Sequence, residues 1–202
     1  MQFMQALDTE TREPRCQTTT LTRVAPIQVE SSSHFQFIFA PPMTQSTQTP
    51  SPSQALAGLG LVLPPAPKPV ASYVPCVRTG NLLFISGQLP FRDGALLATG
   101  LVPDPVSLDR AQEAARQCIL NGLAVVAGEC GGSLDRVARI VRLGVFVASC
   151  GNFTEQPKVA NGASDLLQQI FGESGRHARA AVGTNALPLG ASVEIEMLVE
   201  LR

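Results

Sequence analysis

The chain has 202 residues, a formal net charge of −1 and 45% hydrophobic residues, enough for one ordinary domain with a sizeable core plus a remainder. The near-neutral balance argues against a phosphate-neutralising surface, and the absence of Trp beside a single Tyr argues against a stacking platform for single-stranded nucleic acid. No apolar run reaches the roughly 18 to 20 residues of a membrane helix.

Composition divides the chain near residue 70, since ten of the 16 prolines precede Val70. Over 1–40 the apolar residues scatter without a period. The basic start and continuous apolar stretch of a signal peptide are missing, and Asp8, Glu10 and Glu13 speak against a mitochondrial leader. The expected location is therefore cytoplasmic. Residues 44–53, TQSTQTPSPS, are polar and of low complexity, and 63–69, LPPAPKP, read as a polyproline spacer. The expected organisation is a disordered leader over 1–56, a Pro-rich linker over 57–70 and one α+β domain over 71–202. Met43 offers an alternative start, in which case residues 1–42 are not made.

In the domain, Tyr73–Arg78 and Leu82–Ser86 read as strands joined by a turn at Thr79-Gly80-Asn81. Asp93-Gly94 marks a second turn before a short strand at 95–99. Ser107 is placed to cap a helix running to about Gly128, with Ala111, Ala115, Cys118, Ile119, Leu123 and Val126 on one face. Arg139–Ala148 is Val-rich, as in a central strand covered on both faces. A second helix spans about Gln156–Phe171, with Gly172 just beyond it. Two strands close the chain, Ala178–Thr184 and Ser192–Leu201. In the last, Val193, Ile195, Met197, Val199 and Leu201 alternate with Glu194, Glu196 and Glu200. The order ββ(β)αβαββ lets two helices cover one face of a mixed sheet. Pairing the last two strands as a hairpin would put Arg179, Ala181 and Gly183 on the other face beside Glu194, in a pocket completed by a partner subunit.

The five cysteines, Cys16, Cys76, Cys118, Cys130 and Cys150, are odd in number and widely spaced, without a CxxC pair. They read as reduced thiols, and no metal site is expected. His34 and His177 are the only histidines. A Schiff-base route is not expected either, because Lys68 lies in the linker and Lys158 near a helix start.

Five segments in order resemble one family: SGQLP at 86–90, PKVANGASDLL at 157–167, FGESGRHAR at 171–179, ARAAVG at 178–183 and LPLGASVEIE at 187–196. The chain from about Pro69 to Arg202 resembles the YjgF or Rid family, the reactive intermediate deaminases, also labelled endoribonuclease L-PSP. The segments around 157–167 and the Gly-Arg-His before Arg179 resemble a less-studied branch. The resemblance implies a chorismate-mutase-like α+β fold, a homotrimeric barrel with helices outside, and three sites in the clefts between subunits. It implies hydrolysis of 2-imino acids or their enamine tautomers to 2-oxo acids and ammonia, without a cofactor.

By the same resemblance Arg179 clamps the substrate carboxylate and Glu194 holds the attacking water. Tyr73, Ser86, Gly87 and Asn161 contact the ligand. A guanidinium suits the first task because it is planar and offers two parallel donors. The best-known deaminases carry a Cys two residues beyond the Arg; this chain has Ala181. Two further readings stand beside the deaminase: a non-catalytic small-ligand or regulatory trimer, and an RNA-cleaving or translation-inhibiting protein. The composition supplies neither the basic groove nor the aromatics that the last would need.

Overall fold

The computed structural model describes residues 49–66 and 72–202. The first element is a helix, α1 (Pro52–Gly58). Ser51 caps it: its side chain accepts from the Gln54 amide while the Gln54 side chain reaches back to the Ser51 amide. Leu56 is buried in the main core. Ser53 is tied to the loop that precedes Val137, its amide donating to Asp135 Oδ1 at 3.0 Å and its hydroxyl accepting from the Leu134 amide at 3.1 Å. The expected boundary between leader and linker at residue 56 therefore falls inside an ordered helix. The end of the polar run and the residues after it form this helix because its cap and one leucine are matched by tertiary partners. The rest of the expected leader, 1–48, lies outside the described residues.

The remaining elements are β1 (Cys76–Thr79), β2 (Leu82–Gln88), β3 (Phe91–Arg92), β4 (Ala95–Leu96), α2 (Leu108–Glu129), β5 (Val137–Ala148), α3 (Gln156–Phe171), β6 (Ala178–Thr184) and β7 (Val193–Leu201). Tyr73 precedes β1 rather than lying in it. The Asp93-Gly94 turn has φ of 53° and 81°, as a two-residue hairpin demands, and joins β3 to β4. Ser107 caps α2 by accepting from the Arg110 amide. The result is an α+β fold, as expected.

The five-stranded sheet has the order β1-β2-β7-β5-β6. All pairs are antiparallel except β5 and β6, which run parallel with α3 as their crossover. The alternation of β7 holds: Val193, Ile195, Met197, Val199 and Leu201 are buried under the helices, with Glu194, Glu196 and Glu200 on the opposite face. Close helix packing depends on Gly162 of α3, where an added Cβ would stand 2.3 Å from the Gln112 carbonyl oxygen of α2.

The expected hairpin between the last two strands does not form. β7 lies between β2 and β5, and β6 is the edge strand on the far side of β5. Register fixes the consequence. Arg179 is level with Leu143, and Leu143 with Met197, so Arg179 is on the helix-covered side. Glu194 is level with Phe146, and Phe146 with Val182, on the open side. Arg179, Ala181 and Gly183 therefore sit across the sheet from Glu194, contrary to the sequence expectation.

Candidate functional site

The sequence-derived site residues gather in two clusters. On the open face, β2 breaks register with β7 between Ile85 and Gln88, a bulge that contains Ser86 and Gly87. Bulges re-aim backbone at such places. Here the bulge brings Gly87 under Glu194, whose Oε1 lies 1.9 Å from where a Gly87 Cβ would be. Glycine leaves the space that the carboxylate occupies, so any side chain there would displace Glu194. The same device recurs one pair along, where Glu196 lies over Gly144. Glu196, however, is paired to Arg142 at 2.7 Å, so it is not the freely solvated side chain that strand alternation suggests.

Glu194 is half-buried. Burial, and then the neighbouring Glu196 charge, push its carboxyl above the ordinary carboxylate value. Such a group is suited to take and return a proton.

Ser86 does not present a free hydroxyl. Its Oγ donates to the Val74 carbonyl at 2.8 Å, and its amide donates to the Pro75 carbonyl at 3.0 Å. Ser86 thus straps the segment before β1, which follows the exposed Tyr73, to the bulge. The buried Gln88 side chain donates to the Ser86 carbonyl and braces the bulge from beneath.

The second cluster lies at the β6 edge on the helix side. Arg179 Nη1 donates to Asn161 Oδ1 at 3.0 Å and to Ser164 Oγ at 2.8 Å, and Nη2 donates to the Pro157 carbonyl at 3.4 Å. All three acceptors belong to α3 and all are neutral. Among the described residues no carboxylate pairs with Arg179. Nor does its Nε–H have a partner there, which leaves Nε–H and one Nη2 proton as available donors. Asn161 is thereby a partner of the arginine, spaced one helical turn from Ser164.

Sequence reasoning missed Ser164 and His177. Ser164 Oγ lies 3.0 Å from His177 Nε2, and His177 Nδ1 lies 2.6 Å from the Gly175 carbonyl oxygen. Burial, and then the Arg179 charge, hold the imidazole below the ordinary histidine value, against the Gly175 carbonyl that favours protonation. Both residues fall inside segments that carried the resemblance. The i, i+3 spacing of Asn161 and Ser164 was the available signal. A cavity of about 450 Å³ opens over this cluster, lined by Asn161, Ser164, Asp165, Gln168, His177 and Arg179 among others.

Comparison with known proteins follows the same outline. The family model described as "YjgF/chorismate mutase-like, putative endoribonuclease" matches residues 53–201. Protein TCP17 of Trypanosoma cruzi is 49% identical over 144 residues, covering 71% of this chain and 89% of that protein. A 2-iminobutanoate/2-iminopropanoate deaminase of Dermatophagoides farinae is 30% identical over 136 residues, covering 67% and 91%. Among solved structures, the Agrobacterium tumefaciens protein Atu1372, of unknown function, is 47% identical with a TM-score of 0.70, covering 75% of this chain and 92% of that one.

Proposed function

Because the chain belongs to the YjgF/chorismate mutase-like family, we propose that it hydrolyses small 2-imino acids, or their enamine tautomers, to 2-oxo acids and ammonia. The observation that carries this reading is the guanidinium of Arg179, held in place by neutral acceptors, with donors left over and no paired carboxylate among the described residues. The deaminase relative supports the substrate class.

In this reading Arg179 anchors the carboxylate. Water attacks the imine carbon while Glu194 takes a proton from it, and a C–O bond forms as the C=N π bond opens onto nitrogen. Glu194 then returns the proton to the amine nitrogen. Glu194 then carries the hydroxyl proton to the same nitrogen, and the C–N bond breaks as the carbonyl forms, giving 2-oxo acid and ammonia. A carboxyl whose proton affinity is raised by burial serves both transfers better than a solvated one. In the same reading the main-chain amide at Gly87 and the Tyr73 hydroxyl of a neighbouring copy orient the ligand.

Arg179 and Glu194 lie on opposite faces of one sheet, so a working site needs Arg179 of one copy beside Glu194 of another. A homotrimer supplies that arrangement. Its support is the open face itself, where Val77, Phe84 and Val182 are each about half exposed around the two glutamates. An enzyme that generates 2-iminopropanoate, coupled to release of the 2-oxo acid, tests the activity. Faster release with the wild-type chain, lost in Arg179→Ala, is expected. Binding of 2-oxo acid without acceleration would instead make it the small-ligand trimer. Sedimentation as a monomer across micromolar concentrations would remove the shared site.

A further inference from the structure

We infer that Ser164 and His177 are working members of the carboxylate site, and that binding of an anion at Arg179 is coupled to proton uptake by His177. The inference rests on the reading of Arg179 as the anchor.

The geometry defines two states. The Gly175 carbonyl can only accept, so His177 Nδ1 carries a proton. In the neutral ring Nε2 is then the acceptor, and the Ser164 hydroxyl donates to it while its oxygen accepts from Arg179 Nη1. When Nε2 is protonated, both ring nitrogens donate. Ser164 Oγ now accepts from His177 and Arg179 with its two lone pairs, and its own proton is released toward the cavity. Protonation therefore keeps both contacts, adds a second positive charge and frees a hydroxyl donor.

What opposes that state is the half-burial of the imidazole and, after it, the charge of Arg179. Among the described residues, the other charged groups lining the cavity with the ring are Asp165 on α3 and Arg176 just after it, and Glu173 is the partner of Arg176 at 3.5 Å. A carboxylate seated on Arg179 cancels the opposing charge. By reciprocity, whatever factor the anion adds to proton affinity at His177, the proton adds to anion affinity. Binding of a 2-oxo acid should be about three- to tenfold tighter near pH 5.5 than near pH 7.5.

The chain has only two histidines, so His34→Gln in the untagged full-length protein leaves His177 as the single imidazole for proton NMR titration. Without ligand, adding Arg179→Ala should raise the His177 midpoint. With wild-type Arg179, saturating 2-oxobutanoate should raise it as well, and in Arg179→Ala it should not. If Arg179→Ala leaves the ligand-free midpoint in place, the coupling is refuted whether or not 2-oxobutanoate binds. If 2-oxobutanoate binds in an Arg179-dependent way without moving the midpoint, the proposal falls while the anchor stands. If Arg179→Ala binds 2-oxobutanoate as tightly as wild type, the anchor reading falls and takes the coupling with it.

Discussion

The carboxylate of Glu194 fills the space that a side chain on Gly87 would need, with Oε1 only 1.9 Å from the ideal Cβ position. Two residues more than a hundred positions apart thus form one unit, made by the β2 bulge. The unit separates fold from chemistry, because the obstructing atom is the free end of a flexible side chain rather than backbone.

Gly87→Ala should consequently leave melting temperature and assembly close to wild type while Glu194 swings off its position. Imine hydrolysis should fall on the order of 100-fold, approaching Glu194→Gln, since a displaced general base loses most of its contribution. Thermal melts and coupled kinetics on the same preparation check this. Wild-type turnover in Gly87→Ala would show that the observed position of Glu194 is irrelevant.

Arg179→Ala removes a charge-assisted bidentate contact and should cost about 3 kcal/mol, or roughly 100-fold in kcat/KM. Arg179→Lys should recover little, because one ammonium cannot hold Asn161 and Ser164 and also present a planar fork. Asn161→Ala should cost less, about five- to tenfold, as it loosens the arginine without deleting it.

The pH profile follows from the raised carboxyl of Glu194. As a base it must be ionised, so kcat/KM should rise as pH rises through its elevated folded value. Glu196→Gln removes the like charge, which shifts that limb to lower pH. Glu200→Gln should leave it in place. The stability sign is opposite. A carboxyl with raised folded proton affinity stabilises fully below its unfolded value and loses that contribution as pH rises through the folded one. Glu194→Gln should therefore be at least as stable as wild type at neutral pH while nearly inactive. A profile unmoved by Glu196→Gln would contradict the electrostatic account.

Gly162→Ala should be among the most destabilising single-methyl changes, about 2 to 3 kcal/mol, because its Cβ meets Gln112 backbone that cannot yield. Gly128→Ala is the matched control. It lies inside α2 with nothing within 4 Å of the added atom, and should stabilise by roughly 0.5 to 1 kcal/mol. Denaturant midpoints for the two variants should move in opposite directions.

Leu56→Ala tests whether α1 belongs to the domain. Leu56 is buried in the main core, so truncation should cost about 2 kcal/mol. An unchanged denaturant midpoint would mean that the domain folds independently of α1.

Local chemistry was legible in the chain itself. The caps at Ser107 and Gly172, the Asp93-Gly94 turn and the strict alternation of β7 each depend on neighbours within a few residues. They placed α2, α3 and β7 and told which side of β7 Glu194 occupies. The candidate site residues were legible only through the resemblance of five whole segments, because no local pattern singles out Arg179 or Glu194. Strand order was not. Only eight residues separate β6 from β7, which invites a hairpin, yet each strand pairs with β5 instead. A parallel β5–α3–β6 crossover buries α3 against the sheet, and β7 enters the centre because five alternating apolar side chains need cover that an edge cannot supply. That choice depends on packing across the whole sheet. It put Arg179 and Glu194 on opposite faces, joined Arg179 to Ser164 and His177, and drew α1 into the core, none of which a local pattern records.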